Sequence, residues 1–218
     1  MKIDARELLQ TWKHQGVYLL ALLGVTLCRL LPFRLGMWLG GVLGGLAYFL
    51  LRRDRSWALT HLAIAFPEKD PVARDRVARG CFQNLGRNAV EVANLPRIRR
   101  DLDRRITIEG REHLDRALEQ GRGVLWITAH LGNWEVMACA MAHAGYPVHV
   151  VARKIHDERL NRLLLTYREG ASVQVILRDS PSAGRQILQV LKRGEILGML
   201  IDQDTKVKGV MVDFFGRK

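Results

Sequence analysis

Four short apolar runs, at residues 124–128, 148–152, 173–177 and 196–201, recur through the second half of this chain. Each is parted from the next by a segment with helical spacing. Continuous apolar runs of this length, bounded by glycine and polar residues, read as buried strands. Of the segments between, 134–144 is built of small residues and stops at Gly145. The second opens on Asp157, sets Leu160, Leu163, Leu164 and Tyr167 on one face, and stops at Gly170. The third opens at Ser180-Pro181 and closes at Gly194. Strands joined through helices cannot pair as hairpins, so the expected fold class is α/β, a mainly parallel sheet flanked by helices. Further strands are expected at 106–108 and 210–215. Further helices are expected at 56–66, at 71–93 behind the Asp70-Pro71 start, and around Leu114, Ala117 and Leu118.

The first fifty residues have a different pattern. Residues 17–31 are apolar apart from Arg29, Pro32-Phe33-Arg34 interrupts, and a glycine-rich apolar run fills 35–51. Arg52-Arg53-Asp54-Arg55 closes it. Crossing the hydrocarbon core takes about 20 apolar residues in a helix, and neither run reaches that comfortably. Two membrane arrangements fit. The first run is a single anchor helix and the second lies at the interface, or the two form a helical hairpin dipping into one leaflet. Arg29 is expected to snorkel to a headgroup. A buried hairpin in a soluble protein is the plainer alternative. No small-residue cleavage site marks a signal peptide. The arginines after Leu51 place the downstream domain in the cytoplasm. Composition breaks near residue 52, dividing the chain into membrane-anchoring helices at 1–53 and an α/β domain at 54–218.

A formal net charge of +12 calls for anionic partners. The lysines and arginines are scattered, with no reading helix or stacking motif, which argues against nucleic acid. An anionic lipid surface and a phosphorylated substrate remain. Arg74, Arg76, Arg79 and Arg87 share one helix and either form a solvated face or meet lipid headgroups. Cys28, Cys81 and Cys139 have neither disulfide nor metal-ligand spacing.

Ligands of open α/β sheets bind at the carboxyl ends of the strands. In this chain every such end delivers polar groups: His130 after the first, Arg153 and Lys154 after the second, Arg178 and Asp179 after the third, and Asp202, Gln203 and Asp204 after the fourth. His130 and Glu135 form the sharpest pair, in His130-Leu131-Gly132-Asn133-Trp134-Glu135. Gly132 and Asn133 suit a turn and an N-cap, and Glu135 falls in the first turn of the next helix. The turn is expected to fold Glu135 back onto the imidazole. A carboxylate on one ring nitrogen leaves the other as a base. No serine or cysteine nucleophile stands beside it, so the reacting hydroxyl belongs to a substrate. The plainer reading, a histidine satisfied near a helix cap, fits a lone residue better than four polar strand ends. Neither His-Glu-x-x-His nor a phosphate-cradling glycine loop is present, so no metal or nucleotide cofactor is expected.

Residues 128–135, Thr-Ala-His-Leu-Gly-Asn-Trp-Glu, resemble the H-x4-D/E block of the lysophospholipid acyltransferase superfamily, and in particular that of the bacterial lipid A biosynthesis acyltransferases. Phe66-Pro67-Glu68, Leu200-Ile201-Asp202-Gln203-Asp204 and Val212-Asp213-Phe214-Phe215-Gly216 support the resemblance in order and spacing. It implies that His130 deprotonates a hydroxyl of a lipid A precursor, an anionic glycolipid. That oxygen then attacks a thioester on acyl carrier protein, at the cytoplasmic face of the bacterial inner membrane. Glu135 would hold His130. Arg153 would stabilise the oxyanion or grip a phosphate, and Asn133, Asp202, Gln203 and Asp204 complete the expected substrate-binding set. Family members run on for several dozen residues after the Phe-Phe-Gly block, so the resemblance implies that this chain lacks a last segment with one or more strands, as a fragment, a truncated open reading frame or an unusually short member. The alternatives are another glycolipid or lysophospholipid acceptor, or a non-catalytic membrane-surface protein that keeps the fold.

Overall fold

The computed structural model describes residues 5–155, 157–203 and 211–216. The chain forms two compact units, Met1–Leu30 with Val92–Asp202, and Leu31–Glu91 with Gln203–Lys218.

The second of these is helical. Helices α1 (Ala5–Leu30), α2 (Phe33–Leu50), α3 (Arg52–Ala65) and α4 (Pro71–Ala93) succeed one another along the chain, and the middle of this series builds the unit. Asp70 starts α4 as its sequence suggests, its Oδ1 accepting from the Ala73 N–H at 2.7 Å. The glycines of α2 have a packing reason. A Cβ on Gly44 would overlap the Phe82 carbonyl oxygen, and one on Gly86 would overlap the Gly40 carbonyl oxygen. Only glycine lets α2 and α4 approach this closely. Tyr48, 1% exposed, donates from its hydroxyl to the Asp75 carboxylate. By length and apolarity α2 is the described helix that could cross a membrane. The first apolar run, which the sequence suggests as the anchor, supplies only the shorter stretch Gln15–Leu30. The strand expected at 210–215 is absent from its described part: 211–216 hold an isolated bridge at Phe214, and Val210 lies outside the described residues.

The sheet lies in the other unit. After Leu95–Ile98 (α5), a 3-10 turn at Arg99–Asp101, Leu102–Arg105 (α6) and Arg111–Glu119 (α7), the chain alternates. The alternating elements are β1 (Val124–Thr128), α8 (Trp134–His143), β2 (Val148–Ala152), α9 (Glu158–Gly170), β3 (Gln174–Leu177), α10 (Ala183–Lys192) and β4 (Ile196–Leu200). All pairings are parallel and the order is β1-β4-β2-β3. This is the expected α/β class. The last strand enters between the first and the second, with Thr128 level with Leu200 and Val150 level with Gly198. Helix α10 covers one face, where Ala183 and Val190 pack with Ile176 and Leu197, supported by Ile187, Leu191, Val151 and Met199. Strand β1, expected to be buried, is an edge strand with Leu125 and Ile127 half exposed. The strand expected at 106–108 is extended at Ile106 but joins no ladder among the described residues. Arg29 is engaged within the protein. Its Nε donates to the Ala93 carbonyl at 2.9 Å and its Nη2 to the Tyr167 hydroxyl at 2.7 Å, tying the end of α1 into this unit.

Candidate active site

Parallel pairing puts every strand's carboxyl end on one edge of the sheet, and β1 and β4 are neighbours there. His130 and Asp202 each lie two residues past the level pair Thr128 and Leu200. The Ile201 N–H donates to the Thr128 carbonyl at 3.2 Å and carries the pairing past the strand ends. As a result both Asp202 oxygens are used on His130. Oδ1 lies 2.8 Å from the ring Nδ1, and Oδ2 accepts the His130 backbone N–H at 2.9 Å. Partial burial pushes the Asp202 carboxyl up, but the bonds from the His130 ring and backbone outweigh it and hold the group below the ordinary carboxylate range. An ionised Asp202 accepts from Nδ1–H and directs the lone pair of Nε2 outward. The Trp134 ring meets the imidazole edge-on, 4.7 Å between centroids. Both side chains of the pair remain about a third exposed, at 30% and 33%, so a substrate can reach them.

Glu135 has a different partner from the one its spacing suggests. Arg168, in the last turn of α9, grips it with Nε 2.8 Å from Oε2 and Nη2 on Oε1. Both side chains are nearly buried, 11% and 14% exposed. The carboxylate on the imidazole is that of Asp202, and the Glu135–Arg168 fork fastens the first turn of α8 to α9. Asn133 caps α8, its Oδ1 accepting the Val136 N–H at 3.2 Å.

Arg153 and Lys154 come directly after β2, and Asp179 after β3. With Ile155 they line a cleft of about 670 Å³. The buried Asn161 braces the loop that carries them, its Oδ1 accepting the Ile155 N–H at 3.0 Å. Lys154 also reaches Glu158 at 3.3 Å on the surface. Gln203 is exposed and belongs to the other unit, and Asp204 lies outside the described residues.

Arg168, Trp134 and Asn161 do not stand out in the sequence. An arginine in a helix's last turn has an ordinary explanation in the helix dipole. Nothing along the chain couples Arg168 to a glutamate 33 residues earlier. Trp134 lies inside the motif itself, where an aromatic flanking a histidine is the one signal the sequence offers.

The family model described as bacterial lipid A biosynthesis acyltransferase matches residues 5–218. A phosphatidylinositol mannoside acyltransferase of Mycobacterium tuberculosis is 29% identical over 146 residues, 62% of this chain and 44% of its own. The lipid A biosynthesis palmitoleoyltransferase of Escherichia coli is 27% identical over 184 residues, 82% of this chain and 58% of its own. A lipid A biosynthesis acyltransferase of Haemophilus influenzae is 23% identical over 203 residues, 92% of this chain and 62% of its own. The chain thus spans about half the length of the curated relatives it matches.

Proposed function

Because the chain belongs to the bacterial lipid A biosynthesis acyltransferase family, we propose that it moves a fatty acyl chain from an acyl carrier protein thioester to a hydroxyl of a lipid A precursor at the cytoplasmic face of the inner membrane. The observation that carries this reading is the His130–Asp202 contact at the carboxyl edge of the sheet. It supplies an oriented base with no protein nucleophile bonded to it among the described residues, as transfer to a substrate hydroxyl requires.

In this mechanism His130 Nε2 takes the proton of the acceptor hydroxyl as its oxygen attacks the thioester carbonyl. Asp202 stabilises the imidazolium that forms. The tetrahedral intermediate collapses with cleavage of the C–S bond. The departing thiolate of the carrier takes the proton back from Nε2, which returns His130 to its starting state. Arg153 and Lys154 present positive charge in the adjoining strand-end cleft, suited to a phosphate of the acceptor. The Glu135–Arg168 pair keeps the turn between His130 and α8 in place.

The test is acyl transfer by the purified protein from acyl carrier protein thioester to a lipid A precursor, read by mass spectrometry of the lipid product. His130→Ala should remove it, and full activity in that variant would overturn the role of His130. A phosphatidylinositol mannoside acceptor is the second reading, favoured by the 29–30% identity to the mycobacterial proteins. The same assay with that acceptor, beside lipid analysis of a deletion strain, separates the two.

A further inference from the structure

Helix α2 presents two faces of opposite kind. Gly36, Gly40, Gly41, Gly44, Gly45 and Tyr48 are buried along one side. Leu35, Trp38, Val42, Leu46, Phe49 and Leu50 lie along the other, and each is at least 43% exposed. An apolar stripe of this length on a helix calls for a non-aqueous neighbour. Composition alone would let α2 pass through a bilayer. Its packing argues otherwise.

The buried side of α2 runs antiparallel along α4. Gly40 lies on Gly86 and Val90, Gly44 on Phe82, and Tyr48 on Asp75. A spanning α2 would therefore take α4 across with it. Helix α4 carries Arg74, Asp75, Arg76, Arg79, Arg87 and Glu91 within that stretch. Arg87 is the decisive one. Its guanidinium packs on Gly41, midway along α2, about 3.0 Å from where a Cβ on that glycine would stand. In a spanning arrangement this charge would sit near the bilayer centre, where charged side chains are strongly disfavoured.

With α2 lying flat, the same charges fall at headgroup depth. Arg52 and Arg53 are exposed just past the end of the stripe. The Arg79 guanidinium lies over the Phe49 ring, 5.3 Å from its centroid. Trp38 and Trp57 are exposed, and tryptophan favours the water–hydrocarbon boundary. We infer that α2 is an in-plane docking helix. Its Leu35–Val42–Phe49 stripe is sunk into one leaflet of a bilayer with anionic headgroups, and the arginines at its end and on α4 engage those headgroups. The inference takes its occupant from the membrane reading above but does not depend on acyl transfer.

The test is fluorescence-quenching depth on the full chain bound to vesicles of phosphatidylethanolamine and phosphatidylglycerol. Cys28, Cys81 and Cys139 are first replaced by alanine. A bimane label is then placed singly through Leu35→Cys, Val42→Cys or Phe49→Cys, with circular dichroism as the folding control. Lipids carrying a nitroxide at shallow or deep acyl positions act as quenchers. An in-plane helix gives three equal depths, all quenched more by the shallow nitroxide. A Val42→Cys label much deeper than the other two shows a spanning helix and overturns the inference. Vesicle-bound protein with none of the three labels quenched overturns it as well, since the stripe then faces water or protein while membrane binding stands. Protein that stays in the supernatant overturns the membrane reading together with the inference.

Discussion

Asp202 holds His130 by two bonds at once, one to ring Nδ1 at 2.8 Å and one to the backbone N–H at 2.9 Å. The second bond fixes the loop and the first fixes the ring. Asp202→Asn keeps an acceptor in place but removes the charge that stabilises the imidazolium. It should lower kcat by on the order of 10²- to 10⁴-fold, the usual range for general base catalysis, with little change in KM. His130→Ala should cost about as much, and the double variant no more than the worse single one, because the pair acts as a unit. Additive losses in the double variant would show that the two act separately.

Glu135 and Arg168 call for a stability measurement beside a kinetic one. Both are nearly buried and each completes the other's bonding. Removing one partner leaves an unpaired buried charge, at a typical cost of about 3–5 kcal/mol. Arg168→Met should therefore lower the denaturation midpoint strongly, with Glu135→Gln less severe because an amide still accepts one bond. If Glu135→Gln abolished turnover while the midpoint stayed put, Glu135 would act on the reacting groups directly.

The sequence marks the local features of this site and misses its pairings. Asp70, Asn133 and Asp157 are legible as helix starts because capping depends on residues two or three positions away. The strands are legible because glycines and polar residues bound short apolar runs. Strand order is not legible. A crossover helix returns a strand to any free position, and here β4 enters beside β1. That step brings Asp202 to His130 across 72 residues. Glu135, five residues away, is the nearer candidate along the chain. The two isoleucines at 106 and 108 alternate like a strand, but among the described residues no neighbouring strand pairs with them.

At the opposite edge of the sheet, His149 Nε2 lies 2.8 Å from Glu195 Oε2, and Arg193 Nη2 donates to the same carboxylate at 2.7 Å. Burial pulls the His149 imidazole below its ordinary value of 6.5, and the carboxylate only partly offsets this. The unfolded chain therefore binds more protons than the folded one from about that value downward, so stability falls as pH drops through it. The Arg193 guanidinium holds the Glu195 carboxyl below its ordinary 4.5 despite burial. Its contribution is present above that value and is lost at lower pH. Acid should thus weaken the fold in two steps. His149→Gln should flatten the upper step in thermal unfolding monitored across pH, and an unchanged profile would assign the acid sensitivity to other groups.

Two helical glycines should respond oppositely to alanine. Gly24, in α1, has nothing within 4 Å of a built Cβ. Gly24→Ala should stabilise by about 0.5–1 kcal/mol through helix propensity alone. Gly44 has the same propensity to gain, but its Cβ would overlap the Phe82 carbonyl oxygen and crowd the Gln83 backbone. Backbone cannot rotate aside as a flexible side chain can, so α2 and α4 would have to separate along the shared face of Gly40, Gly44 and Gly86. Overpacking of this kind costs about 1–3 kcal/mol, which exceeds the propensity gain at the upper end and should leave a net loss. Urea unfolding of both variants in detergent, read against the parent chain, gives the two signs. A stabilised Gly44→Ala would mean that α2 and α4 are not held backbone to backbone.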